Sequence, residues 1–230
     1  MVTGATRGIG RAIAEQLLHA GAAVAICGRS QESVDRAVSE MKQSTGGDVS
    51  GVPADVSNWE QVERFFKSVA TRFGNLDVLV NNAGVGVFRP VQEMSRDDWD
   101  RTIGVNLTGV FYCCHHALPL LRQSGSGYII QISSLAGINA FAGGAAYNAS
   151  KFGLNGFSEA IMQDLRYENI RVSYVMPGSV DTDFSSRGQR ADWKIATADV
   201  AEIVLSLLRM PARTLPSRVE VRPSKPKKNS

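Results

Sequence analysis

The chain has 230 residues, of which 43% are hydrophobic and 20% charged, and this balance indicates one folded domain and excludes an intrinsically disordered chain. The formal net charge of +3 is too small to indicate a nucleic-acid partner, and no apolar run is long enough to cross a membrane. Cys27, Cys113 and Cys114 lack the spacing of metal ligands, so we expect no metal site and a reducing, cytoplasmic location.

Short β-branched apolar segments alternate with longer amphipathic segments along most of the chain. This alternation predicts an α/β fold, with a doubly wound, Rossmann-like parallel sheet and helices on both faces. The predicted strands cover residues 1–3, 23–27, 49–54, 77–81, 128–133, 171–176 and 218–222. The predicted helices cover residues 9–19, 31–43, 58–73, 96–123 with a break near Asn106, 146–168 and 199–208.

Polar residues that can cap helices precede several of the predicted helices. Ser30, Ser95 and Thr197 are predicted N-caps, and Ser57 is predicted to form a capping box with Glu60. These caps support the same segmentation independently of the apolar periodicity.

Two segments depart from the alternation. Residues 179–196 are polar and weakly periodic, which predicts a mobile loop beside the carboxyl end of a strand. Residues 223–230 contain two prolines and three lysines, which predicts a flexible or surface-lying basic tail. We therefore expect one domain over residues 1–222.

A glycine-rich turn over residues 3–10 follows the first predicted strand. Its spacing, G-x-x-x-G-x-G, permits a tight turn and presents the N–H groups of a helix N-terminus to a pyrophosphate. Glycines that only shape a strand-to-helix turn explain the segment equally well. Because only Met1 and Val2 precede the turn, we expect a truncated first strand and further apolar residues upstream in the native protein.

The end of the second predicted strand bears on the choice of cofactor. Gly28 stands where a carboxylate would bind the 2′-hydroxyl of a ribose, Arg29 follows it, and Arg7 lies in the glycine-rich turn. Two guanidinium groups near a missing carboxylate favour NADP(H) over NAD(H). Taken singly, each arginine is better explained as a solvated surface residue.

A candidate catalytic pair lies in the predicted helix over residues 146–168. Tyr147 and Lys151 are four residues apart and so share one helix face. A nearby lysine cation favours the phenolate, so we expect it to lower the pKa of the tyrosine. Ser134 follows the preceding strand at the carboxyl edge of the sheet, where ligands bind in open α/β folds. Taken alone, Ser134 is better explained as a turn residue.

From Val2 to about Arg222 the chain resembles the short-chain dehydrogenase/reductases of the compact, single-domain subfamily. The motifs that carry the resemblance are Thr3-Gly4-x-x-x-Gly8-Ile9-Gly10, Asp55-Val56, Asn81-Asn82-Ala83-Gly84, Asn106, Ser134, Tyr147-x-x-x-Lys151 and Pro177-Gly178 followed by Thr182. The resemblance implies the strand order 3-2-1-4-5-6-7. It also implies hydride transfer between NADP(H) and a small carbonyl or alcohol substrate.

The resemblance further implies a role for each motif residue. Tyr147 would be the general acid or base, Lys151 would lower its pKa and hold the nicotinamide ribose, and Ser134 would polarise the substrate oxygen. Asn106 would bend its helix and hold a water that supplies protons. The residues implied to bind the cofactor are Gly4, Thr6, Arg7, Gly8, Ile9, Arg29, Asp55, Val56, Asn81, Asn82, Ala83, Gly84, Tyr147, Lys151, Pro177, Gly178, Val180 and Thr182.

The expected substrate pocket is open, because the loop over residues 183–196 is short, and it is expected to accept mixed aldehydes and ketones. The residues expected to form its walls or add polar selectivity are Phe88, Phe141, Phe184, Trp193, Asn139, Arg187 and Arg190. The resemblance also implies a homodimer or homotetramer that pairs through the helices over residues 106–123 and 147–168.

Other functions stay open at this point. A reductase of 3-oxoacyl groups on an acyl-carrier protein is one, although Tyr128 and Glu168 stand where such enzymes carry arginines; Arg122, Arg166 and Arg171 lie near enough to compensate. A non-catalytic dinucleotide-binding regulator is disfavoured by the intact motif residues. Binding of nucleic acid by the basic tail is disfavoured because the tail has no stacking aromatics.

Overall fold

The computed structural model describes residues 1–182, 184 and 192–226. Within these residues the strands are β1 (Val24–Gly28), β2 (Val49–Pro53), β3 (Val78–Asn81), β4 (Gly127–Ile132), β5 (Ile170–Pro177) and β6 (Arg218–Val221). The α-helices are α1 (Gly8–His19), α2 (Gln31–Thr45), α3 (Trp59–Phe73), α4 (Arg96–Ile103), α5 (Gly109–Ser124), α6 (Ala145–Leu165) and α7 (Thr197–Arg209). The predicted helices and the predicted strands from residue 23 onward are present with small differences at their ends, and the first predicted strand is reduced to bridges at Val2.

The N-terminal segment lies in the middle of a parallel sheet. Val2 forms parallel bridges to Ile26 of β1 and to Val80 of β3. Its N–H donates to the Ala25 carbonyl at 2.9 Å, and the N–H of Thr3 donates to the Val80 carbonyl at 3.0 Å. Beyond β1 lies β2, and beyond β3 lie β4, β5 and β6 in turn. The predicted order is confirmed, with the N-terminal segment as strand 1.

Each face of the sheet is covered by helices, so the strands are buried on both sides, as is usual for parallel sheets. Ala25 and Cys27 of β1 belong to a core that also contains side chains of α3, α5 and α6. Val24 and Ile26 belong to a second core with side chains of α1, α2 and α7. Successive β1 residues alternate between the two cores, which is the period-two geometry of a strand.

The predicted capping box at the start of α3 is wrong by one residue. Asn58 is the N-cap, and its Oδ1 accepts the N–H of Gln61 at 2.9 Å. The Ser57 hydroxyl donates instead to the Asp55 carboxylate at 2.7 Å. It therefore does not cap the helix, and the predicted capping box between Ser57 and Glu60 is not formed.

Of the other three predicted caps, two are confirmed and one is wrong. Ser30 and Ser95 cap α2 and α4, as predicted. Thr197 is not a cap, because it is already the first residue of α7. The Ala196 N–H before it donates to the Asp199 carboxylate at 2.8 Å, which anchors the start of the helix without a cap side chain.

The ends of the predicted loop over residues 179–196 are paired with each other. Val180 and Ile195 form a parallel bridge, the Asp181 N–H donates to the Ile195 carbonyl at 2.8 Å, and the Ile195 N–H donates to the Ser179 carbonyl at 3.2 Å. Residues 183 and 185–191 of this loop lie outside the described residues, so its predicted mobility stays a prediction.

Among the described residues, no helix combines the length and apolar character that a membrane crossing needs. The same part of the chain brings no three His, Cys, Asp or Glu side chains together as a metal site. All three cysteines are free thiols, and all are buried. Of the predicted tail, residues 223–226 lie at the surface, and residues 227–230 fall outside the described ranges.

Candidate active site

A cleft of about 1040 Å³ opens at the carboxyl edge of the sheet. Parallel strands all end at this edge, so the loops that follow them converge on one place. Its volume is at the upper end of the range for small-molecule sites. The predicted residues that line it are Gly4, Thr6, Arg7, Gly8, Ile9, Arg29, Asp55, Val56, Asn82, Ala83, Gly84, Ser134, Tyr147, Lys151, Pro177, Val180 and Thr182.

Three of the predicted site residues, Asn81, Gly178 and Asn106, are not part of the cleft lining. Asn81 is buried in β3, where its Nδ2 donates to Cys114 Sγ at 3.4 Å. The Gly178 N–H donates to the Val221 carbonyl at 3.0 Å, which ties the end of β5 to β6. Asn106 lies behind the cleft wall. These three residues are placed to support the cleft and not to touch what it holds.

The glycine-rich turn is held tightly against the loop that follows β3. Gly4 and Gly8 have φ values of +62° and +61°, which favour glycine. A Cβ on Gly4 would lie 2.8 Å from the Ala83 Cα, so only glycine allows this close approach. Thr3 Oγ1 accepts the N–H groups of Asn82 at 3.0 Å and Ala83 at 3.1 Å. The turn thereby directs the N-terminus of α1 into the cleft.

The arm of the cleft at the end of β1 is basic. A Cβ on Gly28 would lie 2.5 Å from the Thr6 methyl group, so a carboxylate side chain does not fit there unless Thr6 moves. Arg7 and Arg29 both line this arm, as predicted. Arg36 lines it as well and was not predicted. Its signal is helical phase, because it follows the cleft-lining Ser33 by three residues and so shares that face of α2.

Asn106 lies at the centre of a π-helical turn, Gly104–Thr108, which separates α4 from α5. This is the helix break predicted at that residue, and such turns are frequent at functional sites. The Asn106 Nδ2 donates to the Val85 carbonyl at 2.9 Å and to Ser150 Oγ at 3.0 Å. Its Oδ1 accepts the Val85 N–H at 2.8 Å. Asn106 therefore positions the cleft-lining Val85 and the helix that carries Tyr147.

Removal of this buried amide should be costly. Asn106→Ala would leave the Val85 N–H and carbonyl without partners, and we expect the free energy of unfolding to fall by about 2–4 kcal/mol. Urea denaturation measures the change. The control is Asn58→Ala, which removes an exposed cap and should cost only about 1 kcal/mol. A wild-type midpoint for Asn106→Ala would contradict this structural role.

Tyr147, Lys151 and Ser134 meet at the inner end of the cleft. Lys151 Nζ lies 5.8 Å from the centroid of the Tyr147 ring and donates to the Ile132 carbonyl at 3.0 Å. Ser134 Oγ accepts the Ala136 N–H at 3.1 Å, which fixes the serine at the end of β4. The Ser134 hydroxyl is near enough to that of Tyr147 to oppose the effect of burial on the tyrosine pKa. The predicted constellation is thus assembled in space.

Burial sets the protonation of this pair. It raises the pKa of Tyr147 above its usual value, against the opposite effect of the Ser134 hydrogen bond. Burial also lowers the pKa of Lys151 to about 8. The predicted lowering of the Tyr147 pKa is therefore wrong for this geometry, because desolvation of the phenolate is the largest effect on that group.

Phenylalanine rings stand beside Tyr147 on the side where a substrate would enter. Phe88 makes an edge contact with the Tyr147 ring at 5.5 Å between centroids, and Phe184 lies 5.7 Å from the same ring. Phe141 packs on Phe88 at 5.8 Å. Phe88 and Phe184 line the cleft, as expected of pocket walls, whereas Phe141 is not part of the cleft lining.

Of the other predicted pocket residues, the two that the structure describes lie outside the cleft lining. Trp193 lines a separate cavity with residues of the C-terminal segment, so its expected place in the pocket wall is wrong. The Asn139 carbonyl accepts the Asn148 amide at 3.2 Å, and its side chain is not part of the cleft lining. Arg187 and Arg190 lie outside the described residues.

Comparisons with known proteins agree with this geometry. A family model described as short chain dehydrogenase matches residues 1–192. A 3beta-hydroxysteroid dehydrogenase of Mediterraneibacter gnavus is 39% identical over 202 residues, which cover 87% of this chain and 72% of that protein.

Two solved structures are also similar to this chain. An alcohol dehydrogenase of the archaeon Thermococcus sibiricus, complexed with 5-hydroxy-NADP, is 31% identical with a TM-score of 0.92, over 100% of this chain and 97% of the other. A metagenomic short-chain oxidoreductase in complex with NADP is 39% identical with a TM-score of 0.86, over 97% of this chain and 96% of the other.

Proposed function

The chain belongs to the short-chain dehydrogenase/reductase family of oxidoreductases, and from this premise we propose that it reduces a small carbonyl substrate with NADPH or runs the reverse reaction. The observation that carries the proposal is the meeting of Ser134, Tyr147 and Lys151 in a cleft whose other arm is basic. The binding of NADP by the metagenomic relative supports the choice of cofactor.

The cleft has the features that a dinucleotide needs. Its glycine-rich turn allows close backbone approach at Gly4, and the N-terminus of α1 favours a pyrophosphate there. Asp55 and Val56 would receive the adenine, and Arg7 with Arg29 would bind the 2′-phosphate. When bound, NADPH would supply the hydride to the carbonyl carbon.

The side chains of the cleft would handle the proton. Its raised pKa keeps Tyr147 protonated at neutral pH, so its hydroxyl can donate a proton to the substrate oxygen as negative charge develops. Ser134 Oγ would donate a hydrogen bond to the same oxygen. With a pKa of about 8, the Lys151 ammonium can lose a proton near neutral pH and so help to reprotonate Tyr147. The products would be an alcohol and NADP⁺.

The preference for NADPH should depend on Arg29. We expect Arg29→Ala to lower the ratio of kcat/KM for NADPH over NADH by roughly 10- to 100-fold, the value of a charge-assisted hydrogen bond to phosphate. Initial rates with each cofactor measure the ratio. Arg72→Ala, whose guanidinium lies over the Phe73 ring at the far end of α3, is the matched control. A wild-type enzyme that prefers NADH would refute this assignment.

The contacts of the basic residues disfavour an acyl-carrier protein as the partner. Arg122 is paired with Glu168 at 2.6 Å, and the Arg171 guanidinium lies 4.3 Å over the buried ring of Tyr128. Two of the three arginines expected to meet an acidic carrier therefore have partners within the chain. This supports a free small molecule as the substrate.

The remaining proposals concern assembly and location. We propose a homodimer or homotetramer through α5 and α6, each of which exposes a phenylalanine, Phe111 and Phe152. We propose that residues 1–222 form the catalytic domain and that the residues after them form a basic tail. Three buried free thiols suit the proposed reducing, cytoplasmic environment.

A further inference from the structure

Phe88, Phe141 and Phe184 form a cluster beside Tyr147 that we call the aromatic cage. We propose that the aromatic cage selects flat, ring-bearing apolar carbonyl compounds over straight-chain and anionic ones. This inference rests on the proposed function and deepens it, because it names the substrate class of the same cleft.

The rings of the cage remain accessible although they are large and apolar. Phe88, Phe141 and Phe184 are 43%, 47% and 41% exposed, whereas most large apolar side chains of the described chain are buried. Phe88 and Phe184 line the cleft directly, and Phe141 supports Phe88 from behind. Apolar surface left open at the mouth of a site is available to cover an apolar ligand.

Two glycines hold the rings in place. A Cβ on Gly86 would lie 2.7 Å from Phe88 Cζ and 2.8 Å from Phe184 Cε1, so both rings rest against this one backbone position. A Cβ on Gly144 would lie 2.7 Å from two ring atoms of Phe141. Any larger residue at either position would push a ring away, so the cage depends on glycine at both.

Several charged side chains of the cleft are assigned to places outside the cage. Arg7, Arg29 and Asp55 line the arm proposed for the cofactor. Arg101 of α4 also lines the cleft. Lys151 is committed to the Ile132 carbonyl at the inner end.

The charged residue next to Phe88 in the sequence is ion-paired. Arg89 follows Phe88 directly, and its Nε lies 3.5 Å from the Asp98 carboxylate. An anionic substrate that occupies the cage would therefore place its charge against the rings of Phe88 and Phe184. Burial of an unpaired charge among apolar groups is unfavourable, which disfavours such substrates.

The aromatic cage distinguishes ring-bearing from straight-chain compounds by their shape. Both bury apolar area against the cage, but only a flat ring also makes offset or edge-to-face contacts with Phe88 and Phe184. Such contacts add binding beyond area burial that corresponds to roughly 2- to 12-fold in an equilibrium constant. We therefore expect the wild-type enzyme to favour the ring-bearing compound by about that factor in kcat/KM.

The test compares NADPH oxidation with acetophenone, 2-octanone and 3-oxooctanoate, which have the same number of carbon atoms, and with propanal as a small reference. Phe88→Leu and Phe184→Leu keep apolar bulk but remove a ring. Each should lower the acetophenone to 2-octanone ratio of kcat/KM by roughly 2- to 12-fold, and the propanal rate of each variant serves as its reference. Phe73→Leu is the matched control, because Phe73 ends α3 beneath the Arg72 guanidinium and is not part of the cleft lining.

The outcomes of this test distinguish a failure of the proposed function from a failure of the proposal about the aromatic cage. If no carbonyl compound, propanal included, supports NADPH oxidation, the proposed function fails. If propanal is reduced but acetophenone has no advantage over 2-octanone or 3-oxooctanoate, only the inference about the cage is overturned. The same holds if both leucine variants keep the wild-type ratio. Gly86→Ala gives an independent check, since it should shift both rings and lower the acetophenone rate selectively.

Discussion

Tyr147→Phe is expected to lower kcat for NADPH-dependent carbonyl reduction by roughly 10²- to 10⁴-fold, the usual contribution of a positioned general acid. The variant keeps the ring, and with it the contacts to Phe88 and Phe184, but has no hydroxyl to donate the proton. NADPH affinity should change little, because the residues proposed for the phosphates and the adenine lie elsewhere. Steady-state rates and fluorescence titration of NADPH measure the two properties.

A second tyrosine provides the control for this prediction. Tyr112 on α5 makes an edge contact with Trp59 at 5.0 Å and is not part of the cleft lining. Tyr112→Phe should therefore keep its turnover. A Tyr147→Phe enzyme with wild-type kcat would remove Tyr147 from the role of proton donor.

Lys151→Met is expected to abolish most turnover and, at the same time, to make the protein more stable. The fall in the Lys151 pKa from 10.5 to about 8 means that the buried ammonium destabilises the folded state at neutral pH by about 3 kcal/mol. Methionine fills similar space without a charge. Loss of the hydrogen bond to the Ile132 carbonyl offsets part of the gain, so we expect a net increase of roughly 1–3 kcal/mol.

The stabilisation should depend on pH in a definite direction. Because the pKa of Lys151 is lower in the folded state, the folded protein loses this proton first as the pH rises, near pH 8. The energetic cost is therefore full below pH 8 and shrinks toward the unfolded pKa of 10.5. Thermal unfolding of both proteins between pH 7 and 10 measures the difference. A difference in Tm that stays constant over this range would contradict the buried charge as its cause.

The elements of the fold were predictable because their signals are local. Strands buried on both faces show as short β-branched runs, as at Val24 and Ile26, and the bend at Asn106 was implied by the family resemblance. The cap of α3 was misplaced because two polar residues compete there. Asp55, two residues before Ser57, takes its hydroxyl and leaves Asn58 as the cap, and this competition depends on the path of the chain after β2.

The site was predictable in its residues but not in its electrostatics. Tyr147 and Lys151 lie four residues apart on one helix, which the sequence reveals directly. The direction of the Tyr147 pKa shift depends on how completely the surrounding loops exclude water, and that is a property of the assembled structure. Trp193 was misplaced for a similar reason, since the path of the C-terminal segment decides which cavity its ring joins.

The pairing of Val180 with Ile195 distinguishes sequence changes at the base of the loop from sequence changes in its interior. The two ends of the segment between these residues are hydrogen-bonded to each other, so its base is held by contacts of its own. Val180 and Thr182, which the family resemblance implies bind the cofactor, lie at that base, whereas Phe184 lies further along. Segments of different length or composition can therefore be grafted between these anchors to redesign substrate choice without rebuilding the cofactor site.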